Sequence, residues 1–95
     1  MTDREFLRHT VATLAYRAAK TMRGAPASFA GFQPGPASKT PVEIVAHMGD
    51  LLDWGLAMAQ GEPRWNNSIP QPWEPECARF FTALRAFDDA LAADA

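Results

Sequence analysis

His47 is the side chain of this 95-residue sequence best placed to do chemistry. It follows Ile44 by three residues and precedes Leu51 by four and Trp54 by seven, so it lies on or beside the inner face of a helix, with Asp50 about one turn on. From such a face a ring nitrogen can bind a metal in a bundle core while a carboxylate or carbonyl holds the other nitrogen. The structural alternative is a hydrogen-bonded core or boundary histidine. A metal centre needs three or four ligands, and the sequence has neither His-x-x-x-His nor Glu-x-x-His. The second histidine, His9, lies two residues beyond Leu7, about 200° around its helix, and reads as solvated. Cys77 opens an apolar stripe and reads as a small buried hydrophobe. A Cys77–His47 nucleophile pair is the catalytic alternative, although nothing in the spacing brings the two together. Of the three tryptophans, Trp54 reads as core, while Trp65 and Trp73 cap one end of the fold or, with Phe29 and Phe32, line a ligand mouth.

Three helices must position these residues. All eight prolines fall between Pro26 and Pro75, and except for Pro41 they mark residues 24–39 and 61–75 as loops. Before the first loop, Leu7, Val11, Leu14, Ala18 and Met22 recur at helical steps, which predicts a helix over residues 2–23 stopped by Gly24. Thr40-Pro41-Val42-Glu43 is a capping box with proline at the first helical position, and Ile44, Met48, Leu51, Leu52, Gly55, Leu56 and Ala59 carry the apolar face on to Gly61. Gly49 and Gly55 inside that helix imply close approach of a neighbouring helix or loop. From Pro75 onward Cys77, Phe80, Leu84, Phe87 and Leu91 form a third stripe, with no stop signal before Ala95. Nothing reads as a strand, and the expected fold is an all-α up-down bundle forming a single domain over residues 1–95.

Composition bounds the function. Apolar residues make up 47% and charged residues 21%, which excludes wholesale disorder. The net charge of −2 divides into +3 over residues 1–23 and −3 over each of residues 40–60 and 74–95, which suggests one basic helix between or beside two acidic ones. Five cations on one segment of an acidic chain do not make a nucleic-acid surface. The longest uncharged run, residues 24–38, contains three prolines and three glycines and cannot be a membrane helix. One cysteine and no signal-peptide pattern point to a reducing, cytoplasmic setting.

The run Thr40-Pro41-Val42-Glu43-Ile44-Val45-Ala46-His47-Met48-Gly49-Asp50-Leu51-Leu52-Asp53-Trp54 resembles the second helix of the DinB/YfiT-like superfamily. The long first helix, the proline-rich loop, the downstream tryptophans and the third helix are similar in order. The resemblance implies a four-helix bundle in which a histidine of helix 2 and a His-x-x-x-His pair of helix 4 bind a divalent metal, commonly zinc or nickel. Some members are thiol-dependent transferases or isomerases, others are hydrolase-like, and most have no established activity. His47 matches the helix-2 ligand; the match covers only the first three helices, so the metal site is expected to be incomplete, with metal absent or weakly held. A bundle of three arms leaves an apolar groove where a fourth would lie. The alternative function is therefore a non-catalytic helical module that dimerises or binds a partner helix through that groove.

Overall fold

A computed structural model describes residues 1–93, which form α1 (Asp3–Met22), a short 3-10 helix (Ala27–Gly31), α2 (Pro41–Ala59) and α3 (Trp73–Ala92). The described residues contain no strand, so the fold is all-α as expected. α3 gives way to extended backbone at Ala93; Asp94 and Ala95, over which the third helix was expected to continue, lie outside the described residues.

Local chemistry sets the helix ends. The Thr2 hydroxyl accepts from the Glu5 N–H at 3.1 Å. The capping box of α2 is complete: the Thr40 hydroxyl accepts from the Glu43 N–H at 3.3 Å, and the Thr40 N–H donates to the Glu43 carboxylate at 2.9 Å. α2 stops where Gly61 takes φ +81°, a left-handed conformation that returns the Gly61 and Glu62 N–H groups to the Met58 and Ala57 carbonyls. α3 begins at Trp73, two residues before the position that Pro75 suggested. Proline is tolerated there because first-turn N–H groups have no acceptor within the helix.

α3 is the central helix. α1 runs antiparallel to it, with Arg8 against Asp88 and Met22 beside Trp73 and Cys77. α2 runs parallel to it, with Ala46 and Asp50 against Arg79 and Gly55 against Phe87, so the helices pack as an all-α bundle but α2 and α3 do not alternate in direction as the expected up-down order has it. A parallel pair needs a long return connection. α2 is about 28 Å long, and the 13 residues between α2 and α3 reach up to about 43 Å when extended. Proline-rich, extended sequence suits that crossing, and residues 62–72 form a strap lying back along α2.

Phe80, Leu84 and Leu91 of α3 pack with Val11 and Ala18 of α1, Val45 of α2, and Trp73 as a single buried cluster. α1 and α2 both touch α3 but make no close backbone contact with each other. The basic helix therefore lies beside one acidic helix, not between two. Leu7 and Leu14, assigned to the core by their spacing, are exposed, as are Ile44 and Leu51 of α2. α2 instead turns small residues to α3, with Val45, Ala46, Gly49 and Ala57 buried. Apolar residues cover more than half of its circumference, so periodicity alone does not reveal which arc faces inward.

Candidate functional site

His47 is exposed. Its ring meets Trp65 of the strap edge-on, with centroids 5.9 Å apart, and Trp65 meets Trp54 in the same way at 5.9 Å. Trp54 is therefore a surface residue, contrary to its reading as core. Asp50 does not orient His47. One Asp50 oxygen accepts from Arg79 at 2.5 Å and the other from the Ser68 N–H at 3.0 Å. A shallow cleft of about 190 Å³ adjoins His47, bounded by Lys39, Glu43, Asp50 and Ser68. Among the described residues no three His, Cys, Asp or Glu side chains come together as a metal-ligand set.

The organising residue on this side of the bundle is Arg79. It pairs with Asp50, with Glu76 at 2.8 Å and with Asp53 at 2.9 Å, and it donates to the Ala46 carbonyl and the Ser68 hydroxyl. Asp50 and Glu76 are 3% and 1% exposed, and every buried side-chain polar atom among the described residues has a partner. Burial pushes the Asp50 carboxyl up, but its bonds from Arg79 and Ser68 win and hold it below the usual carboxylate range. The same carboxylates raise Arg79 further, so it is permanently charged. Asp50 takes the Ser68 N–H and Glu76 takes the Gln71 N–H at 2.8 Å, which latches the strap at two points. Sequence inspection missed Arg79. The available signal was Gly49: a Cβ there would stand 2.9 Å from the Arg79 guanidinium.

Cys77 is half-buried in a different cleft, between the end of α1 and the start of α3, lined by Met22, Trp73 and Phe81. Burial, then Glu76 and Glu74, push its thiol up, the opposite of what a nucleophile needs. The Cys77–His47 pair does not form: His47 lies on the strap side of α2 and lines none of this cleft. His9 is exposed, as expected. Trp73 is buried at the first turn of α3, edge-on to Phe29 at 5.8 Å, whereas Trp65 stands with Trp54 and His47 and Phe32 is exposed. The four aromatic residues thus form no common ligand mouth.

The open side of the bundle is the groove between α1 and α2. It encloses about 370 Å³ among Leu14, Ala18, Met22, Ile44, Val45 and Met48, with Trp73 in its floor and Arg17 at its lip. His47 follows Ile44 by three residues, about 60° around α2 from it, so it stands outside this groove but beside its α2 rim. No helix among the described residues is long and apolar enough to cross a membrane. No known protein family, curated protein or solved structure matches this chain.

Proposed function

We propose that this chain is a helix-accepting bundle module whose groove between α1 and α2 takes a fourth, amphipathic helix. One observation carries this reading: α1 and α2 are each held against α3 but apart from each other, across walls of Leu14, Ile44 and Met48. Arg17 at the lip has no carboxylate partner among the described residues, so the occupant is a helix with an apolar face and an acidic residue at the edge that meets Arg17. The single cysteine supports a reducing, cytoplasmic setting for it.

A DinB-like divalent-metal protein is the second reading, favoured by His47. Its imidazole is exposed beside the groove's α2 rim and makes no hydrogen bond among the described residues, so a docked helix carrying His-x-x-x-His could complete a zinc or nickel site of the hydrolase or transferase kind. One titration tests both readings. A 20-residue Leu/Glu amphipathic peptide is expected to bind saturably and shift the tryptophan emission through Trp73, and Leu14→Glu is expected to abolish this. Absence of binding removes the first reading. The same peptide with His-x-x-x-His on its apolar edge is expected to retain zinc in equilibrium dialysis, and to retain it at least about tenfold less tightly with His47→Ala. Equal retention by the variant removes the second.

A further inference from the structure

We infer that the groove between α1 and α2 is also a small-molecule site for an unbranched aliphatic carboxylate, its head at Arg17 and its tail running towards Trp73. The cavity of about 370 Å³ is of the size that takes a small ligand. Apart from Arg17 and Thr21, every residue lining it is apolar. The Thr21 hydroxyl is already committed, donating to the Arg17 carbonyl at 2.9 Å. An occupant therefore meets apolar walls along most of its length, and a polar group placed away from Arg17 would lose water without gaining a partner.

Helix direction sets the shape of the ligand. α1 and α2 run in opposite senses along α3, so Met22 stands at the Pro41 end of the groove and Leu14 at the Met48 end. The lining runs from Leu14 to Met22 on α1 and from Pro41 to Met48 on α2, about 12 Å and about 10 Å long. Phe29 and Trp73, set edge-on to each other, wall the Met22 end, and Arg17 lies nearer the other. Such a trough takes a straight chain. Carbon–carbon bonds of about 1.5 Å advance an extended alkyl chain by about 1.3 Å per carbon, so about eight to ten carbons fill it.

Charge sets the head. Arg17 is the one charged residue lining the cavity, and it is exposed and forms no ion pair among the described residues. Its guanidinium is a planar fork that matches a carboxylate at two points. One cation answers a monoanion, and no carboxylate lines the cavity to repel it. Binding here does not rest on helix docking, although ligand and helix would exclude each other.

Isothermal titration of the chain with octanoate, at neutral pH and without peptide, tests the inference. One molecule per chain is expected to bind saturably, and affinity to rise about two- to fourfold per methylene from hexanoate to decanoate. Arg17→Gln, at an exposed position, is expected to weaken octanoate about three- to tenfold. The same variant is expected to leave octanol, which has the same tail and no charge, within about twofold. Absence of saturable octanoate binding, uptake of several molecules per chain, or a variant that weakens both ligands equally or neither overturns the inference. Because no peptide is present, that failure is distinct from failure of the helix reading, which the peptide titration decides.

Discussion

Two glycines in one helix have opposite reasons for being there. At Gly49 a Cβ would lie 2.9 Å from a guanidinium that Asp50, Glu76 and Asp53 hold in place, so Arg79 cannot yield without losing those bonds. At Gly55 a Cβ would meet the Phe87 ring at 3.4 Å, an ordinary contact. Gly55→Ala should therefore gain the helix propensity of alanine, up to about 1 kcal/mol, and raise the melting temperature by a few degrees. Gly49→Ala should lose more than that gain, a net fall of about 1–2 kcal/mol. Thermal denaturation of the two single variants distinguishes them, and equal shifts would contradict the packing described for Arg79.

At the scale of elements, the strap is held by carboxylates more than by its own side chains: Trp65 and Ile69 are exposed, while Ser68 and Gln71 donate to Asp50 and Glu76. The Asp50 carboxyl is depressed in the folded chain, so its contribution is present above the ordinary carboxylate pKa and is lost as pH falls through the lower folded value. Asp88, held down by its bond from Arg8, adds a smaller loss in the same direction at the exposed α1–α3 seam. Urea midpoints are expected to fall below about pH 4. Asp50→Asn is expected to cost about 2 kcal/mol at neutral pH and to show a shallower acid decline. A variant whose acid decline matches the wild type would show that the latch contributes nothing to stability.

For the whole molecule, openness is the governing property. The radius of gyration is 14.4 Å, against about 12 Å expected for a chain of this length. Three helices in two seams, with no third seam between α1 and α2, leave the outer helices unequally secured. α2 is tied to α3 by Arg79 and the strap, whereas α1 buries only Val11 and Ala18 and is otherwise held by Arg8 and by Arg4, which donates to carbonyls at the end of α3. Hydrogen exchange should therefore find α1 the least protected helix and α3 the most. Uniform protection across the three would mean that the open groove does not weaken α1.

The helices are written locally in the chain: the Thr40 capping box, the stops at Gly24 and Gly61, the prolines of the two loops and the spacing of Phe80, Leu84 and Leu91 all act within a few residues. The sequence also singled out His47 and tied Gly49 to a close neighbour. Which arc of α2 is buried follows from packing between helices, since apolar residues cover more than half of its circumference and the small ones face α3. For the same reason Trp54 left the core, His47 came to the surface, and Asp50 turned to an arginine 29 residues away, whereas Leu7 and Leu14 are exposed because α1 packs on α3 alone. Ion pairs and grooves arise between elements, and the direction in which α2 runs along α3 is set by packing that no local spacing encodes.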